Sequence, residues 1–161
     1  MKKLFFVFAL AGTVLTTYAQ TSDAEADAII NLLGVQKKEA VAKLVYVESK
    51  DSSAFWKIYD EYLVKNKQVA KARMKLYEST AHAYGNMTPS TADSLSMQYF
   101  QNRSSQEKSL EEYYNKIKLA TNAVVAFQFY QAEVYLLTLV RAQIMEQIPT
   151  YGEIESHKKK K

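Results

Sequence analysis

Tyr84-Gly85-Asn86-Met87-Thr88-Pro89 is the stretch that decides the fold. A glycine–asparagine stop stands directly before a threonine N-cap and a proline at the first helical position, where the missing N–H costs nothing. One helix ends here and another begins. Upstream, from Ser49 to Tyr84, the apolar residues Phe55, Ile58, Tyr59, Tyr62, Val69, Leu76 and Tyr84 fall on one stripe of a helix roughly 50 Å long. Downstream, Ala92, Leu95, Tyr99, Leu110, Tyr113 and Ile117 repeat the same spacing. Two long amphipathic helices separated by so short a break predict an antiparallel hairpin.

The flanks extend this reading. A last helix starts at Thr121 or Asn122 and runs to Gln147, halted by Pro149. Between Asn122 and Ile148 only Glu133, Arg141 and Glu146 are charged. A helix this apolar is either central in the fold or covered by a partner. At the other end, Ser22 and the acidic Asp23, Glu25 and Asp27 mark a helix start, and Gly34 is its expected C-cap. A second stretch from Gln36 to about Val47 continues it after a bend. No strand-like alternation is present. The fold class is therefore all-α: a long antiparallel helical hairpin, a C-terminal helix and a shorter N-terminal helix.

Met1 to Ala19 carries the pattern of a secretory signal peptide. Lys2 and Lys3 form a basic start, Leu4 to Leu15 an apolar stretch too short to cross a bilayer comfortably, and Ala19 a small residue at the cleavage point. The expectation is export, to the periplasm, with cleavage after Ala19. Residues 20–150 then make a single helical domain, and 151–161 a basic disordered tail. The chain holds 21 Lys and Arg against 17 Asp and Glu. Six of those 21 lie at the ends, as Lys2, Lys3 and Lys158 to Lys161, leaving 15 basic residues facing the 17 acidic ones. The basic pI thus belongs to the termini, and no nucleic-acid partner is expected. The chain has no cysteine, which excludes disulfides, thiolate metal sites and a lipidated cysteine.

Catalytic and metal patterns are missing as well. The only histidines are His82 and His157, and neither completes a Glu-x-x-His pair. No nucleophile elbow, phosphate loop or His-Glu-x-x-His motif occurs, so neither an enzyme nor a cofactor is expected.

Three features point to binding instead. Lys67, Lys71 and Lys75 recur every fourth residue, forming a cationic stripe that is either a solvated face or a docking strip for an anionic partner. Asn66 and Arg73 interrupt the inward face of the third helical stretch, and Asn102, Arg103 and Gln106 interrupt that of its partner. In an antiparallel hairpin the two sets meet near mid-length, either as a register-fixing polar layer or as a polar pocket. Finally, Phe129 and Leu136 belong to an apolar surplus on the last helix that calls for a cover, a homodimer or a client.

The text Phe55-Trp56-x-x-Tyr59-x-x-Tyr62 with the later Arg73, the turn Met87-Thr88, the run Phe129-Tyr130-Gln131-x-Glu133 and the ending Ile148-Pro149 resemble one group of sequences. These are small exported all-helical bacterial proteins, mostly uncharacterised, that are distantly similar to the Spy/CpxP periplasmic proteins. The resemblance spans roughly residues 36–150. Two segments depart from it, Val47 to Asp51, where a Leu-Thr-x-x-Gln-type element stands in the relatives, and Asn122 to Ala126, where a basic-rich segment stands. The resemblance implies a periplasmic helical protein, a cradle-shaped dimer with ATP-independent chaperone or stress-adaptor activity. The functional expectation is accordingly a periplasmic protein-binding protein, dimeric, acting on protein clients or an envelope sensor, with membrane contact peripheral at most. The alternative is a small-ligand or lipid-binding helical protein that uses the polar mid-helix layer.

Overall fold

The computed structural model describes residues 23–158, with side-chain burial from residue 34 onward. The expected signal peptide and the last three lysines lie outside the described residues. Within them the chain is all-α, with five helices: α1 (Asp23–Leu44), α2 (Ser49–Ala83), α3 (Pro89–Ala120), α4 (Ala123–Gln147) and α5 (Tyr151–Lys158).

The hairpin forms where its turn residues place it. Tyr84 closes α2, its N–H donating to the Ala81 carbonyl, and the Thr88 hydroxyl accepts from the Thr91 N–H at 3.1 Å to cap α3, with Pro89 opening that helix. Paired contacts at Tyr62–Tyr113, Asn66–Gln106, Arg73–Asn102 and Thr80–Tyr99 descend one helix as they climb the other, which makes α2 and α3 antiparallel. The next reversal takes only Thr121 and Asn122. The Asn122 side chain accepts from the N–H groups of both Val124 and Val125, at 2.9 and 3.0 Å, satisfying two of the donors every helix start leaves open. α4 therefore runs back along α3 and parallel to α2.

The core gathers at one end of this bundle. Phe55, Tyr59 and Tyr62 of α2, Leu110, Tyr113 and Ile117 of α3, and Val125, Ala126, Phe129, Ala132 and Leu136 of α4 form one buried cluster, closed by Val41 and Val45. Towards the Gly85 turn the hairpin is thinner, with Leu76 and Leu95 as its buried apolar residues. Ala92, expected on the inner stripe, is exposed there.

Two expectations need correction. Gly34 does not end a helix: α1 passes through it, and among the described residues no glycine has the positive φ that a left-handed C-cap requires. A glycine costs a helix about 1 kcal/mol relative to alanine, which the packing of Val41 and Ala40 on the core outweighs. Nor is residue 151 onward disordered through its length. Thr150 and Glu153 make a reciprocal capping box: the Thr150 N–H donates to Glu153 Oε2 at 2.6 Å, and the Glu153 N–H donates to Thr150 Oγ1 at 3.3 Å. With its first turn so satisfied, α5 forms, and Tyr151 packs on Tyr84 at 5.8 Å between ring centres.

Candidate functional site

At the centre of the core lies a carboxylate. Glu133 of α4 is 0 % exposed. Helical periodicity puts it there: Phe129 and Glu133 are four residues apart, on the inner side of α4 that also carries Leu136. Its Oε1 accepts from the Tyr59 hydroxyl at 3.0 Å, and its Oε2 accepts from the Tyr62 hydroxyl and from Lys37 Nζ, the last at 2.5 Å. Lys37 also lies 5.1 Å from the centre of the Tyr62 ring. A buried carboxylate is tolerated only when paired and hydrogen-bonded, and this one has both.

An aromatic collar shuts out water around the charge. Phe129 meets Tyr62 edge-on at 5.2 Å and Tyr59 at 6.1 Å, Tyr62 meets Tyr113 at 5.3 Å, and Phe55 stacks on Tyr59 at 6.1 Å. Burial, and then the Glu133 charge, push the pKa values of Tyr59 and Tyr62 far above that of an ordinary phenol. Both hydroxyls therefore stay protonated as donors. With three donors on its two oxygens and rings on its flanks, Glu133 is engaged as a junction of α1, α2 and α4.

The junction continues into α3. Gln106 Nε2 approaches the Tyr62 hydroxyl at 3.4 Å and Asn66 Oδ1 at 3.5 Å, both long contacts. Further along the hairpin, Arg73 Nε donates to Asn102 Oδ1 at 2.9 Å, and Asn102 Nδ2 donates to the Val69 carbonyl at 3.0 Å. Four of the five residues expected in a polar layer thus meet across α2 and α3. The fifth, Arg103, is exposed, because it follows Asn102 by about 100° of helix rotation. Beside this layer a shallow, open groove of about 360 Å³ runs between α2 and α3, lined by Gln68, Val69, Ala72, Leu76, Gln98, Gln101, Asn102 and Ser105.

Of the expected partner-binding residues, Phe129 and Leu136 are misplaced. They are 0 % and 4 % exposed and belong to the intramolecular core, since α2 and α3 cover the side of α4 that carries them. The apolar surplus faces the other way. Phe127 and Met145 are 52 % and 63 % exposed, and Val134 lies between them on the same stripe, with Tyr130 and Tyr135 on its margins. Gln131 and Thr138 lie on the same stripe, with Arg141 towards its Tyr130 edge, and Thr138 turns its hydroxyl back onto the Val134 carbonyl at 2.8 Å. Of the cationic stripe, Lys75 is exposed and Lys67 and Lys71 are half-buried, and none of the three stands without a partner.

Sequence reasoning missed Glu133, Tyr59 and Lys37 as a unit. The available signal was a lone carboxylate on the stripe that also carries Phe129 and Leu136. Among the described residues no group of three His, Asp or Glu is placed to hold a metal. By length and composition alone, Ala123–His157 is long and apolar enough to cross a membrane. Its α4 portion, however, supplies Phe129, Ala132, Glu133 and Leu136 to the core of this bundle. A scan against protein-family models and searches of curated proteins and of solved structures found no match to this chain.

Proposed function

We propose that the chain is an exported, periplasmic helical protein that binds other proteins, holding unfolded envelope proteins without ATP or engaging an envelope-stress sensor. The observation that carries this reading is the outer stripe of α4, where Phe127, Val134 and Met145 stand exposed. Large apolar side chains that recur exposed along one face of a helix offer a surface for a partner. The tyrosines at its margins, Tyr130 and Tyr135, suit a surface that is wet when free and dry when bound. The resemblance to Spy/CpxP-type proteins supports the same reading, and homodimerisation would use the same stripe.

Suppression of client aggregation by the chain lacking residues 1–19, without ATP, tests the proposal. Suppression by the wild type that is lost in Phe127→Glu and Val134→Glu supports it. A wild type that neither suppresses aggregation, nor self-associates in sedimentation, nor binds a hydrophobic dye overturns it.

A further inference from the structure

We propose that the end of the bundle formed by the α1–α2 link and the α3–α4 turn docks on the headgroup region of an anionic lipid bilayer. This surface borders the outer stripe of α4 at Phe127 but is built from other residues, and it does not depend on the protein-binding reading.

Topology collects the residues. α1 ends, α2 starts, α3 ends and α4 starts at the end of the bundle where the core cluster lies. Four large apolar side chains project there: Leu119 is 87 % exposed, Tyr46 75 %, Val124 67 % and Leu44 44 %. They come from α3, the link, α4 and α1, so no single amphipathic helix accounts for them. Exposed Lys43 and Lys118 stand next to Leu44 and Leu119 in the last turns of α1 and α3. The acidic groups of the link and the α2 start are engaged or set back: Glu48 pairs with Lys50 at 2.9 Å, and Asp51 is half-buried in the first turn of α2. From Asn122 to Ala132 the start of α4 carries no charge. Apolar side chains flanked by lysines can enter the acyl boundary while the cations meet anionic headgroups, and tyrosine suits that boundary.

The backbone separates a lipid from a protein partner. Tyr46 is exposed, yet its N–H donates to Gln128 Oε1 at 2.8 Å, and its carbonyl accepts from Gln128 Nε2 at 3.5 Å. At the neighbouring turn the N–H and hydroxyl of Thr121 both donate to the Ile117 carbonyl, at 2.9 and 2.8 Å, and Asn122 takes the N–H groups of Val124 and Val125. Water or a protein surface would supply such partners from outside. Hydrocarbon supplies none, so backbone groups that approach it must be paired within the chain. These are.

Co-sedimentation with lipid vesicles tests the docking. The chain lacking residues 1–19 is used, since it contains all five helices and excludes the apolar stretch Leu4–Leu15. The wild type is expected to pellet with phosphatidylglycerol vesicles, less with phosphatidylcholine vesicles, and less as salt is raised. Leu119→Ser combined with Val124→Ser is expected to weaken binding roughly tenfold, and Lys43→Gln and Lys118→Gln about fivefold each. Val64→Ser, at a 75 % exposed apolar site well along α2 from this end, is expected to bind as the wild type does. All these positions are exposed, so the fold is expected to hold in every variant. No binding by the wild type, or an equal loss in Val64→Ser, overturns the site. Equal binding to phosphatidylcholine overturns the anionic lipid. Undiminished vesicle binding in Leu119→Ser with Val124→Ser, accompanied by lost suppression of client aggregation, makes this end a protein surface and overturns the proposal.

Discussion

The Tyr62 hydroxyl donates to Glu133 across 71 residues of sequence, and the same hydroxyl receives Gln106 from the far side. One phenol therefore connects the carboxylate of α4 with the amide of α3, while its ring packs on Phe129 and Tyr113. The bundle is pinned at that point by polar contacts and filled around it by aromatic ones.

Removing the carboxylate leaves Lys37, Tyr59 and Tyr62 without their common acceptor. Glu133→Ala is expected to destabilise the fold by about 3–5 kcal/mol, the usual cost of breaking a buried charge pair. Glu133→Gln, which keeps an acceptor oxygen, is expected to lose less. Urea unfolding of the two variants measures the difference, and a cost for Glu133→Ala below that of Glu133→Gln contradicts the assigned contacts.

Alkaline pH should loosen the same junction. Tyr59 and Tyr62 have raised pKa values in the folded state, so the unfolded chain ionises first as pH climbs past about 10. Their contribution is fully present below that value and is lost as pH rises towards the folded values, at up to about 1.4 kcal/mol per pH unit for each tyrosine. Stability against pH in Tyr62→Phe is expected to fall less steeply above pH 10 than in the wild type. Equal slopes would mean that Tyr62 is not shielded.

Two substitutions on opposite sides of α4 should behave oppositely. Leu136→Glu forces a charge into the core and is expected to abolish cooperative unfolding. Phe127→Glu, on the exposed side, is expected to leave the melting temperature nearly unchanged while removing dye and client binding. Circular dichroism melts read the first effect and fluorescence binding the second.

Gly34→Ala is expected to stabilise the protein by up to about 1 kcal/mol, because glycine weakens a helix interior. A Cβ at this position meets nothing within 4 Å. Loss of stability in this variant would place Gly34 outside a regular helix.

The hairpin was legible because its signals are local: Gly85, Asn86, Thr88 and Pro89 act within one turn of themselves. Asn66, Arg73, Asn102 and Gln106 were legible for a related reason, since polar residues on two inner stripes of a hairpin must meet. Glu133 was not. Its partners lie on α1 and α2, and one carboxylate in a long apolar helix reads first as a surface charge. Phe129 and Leu136 were misassigned by the same gap: the sequence shows how much of α4 is apolar, not which side its neighbours cover. The capping box at Thr150 and Glu153 is a local signal that the basic composition of the terminus masked. Gly34 shows the limit of such signals, since a glycine stops a helix only where packing on both sides permits it.

The way α1 is fastened has a consequence for how the chain comes together during synthesis. Lys37 meets Glu133 across 96 residues, and the Tyr46 N–H reaches the Gln128 side chain across 82. The α2–α3 hairpin closes between neighbours in sequence and can form as soon as α3 is made. α1 also meets α2, through Lys38 and Asp60, but its contacts with Glu133 and Gln128 must wait for the last long helix. A nascent chain cut short at Thr121 should therefore hold its hairpin yet leave residues 37–45 more open to proteolysis than they are in the full chain. Only a chain that carries α4 holds α1 from two helices at once.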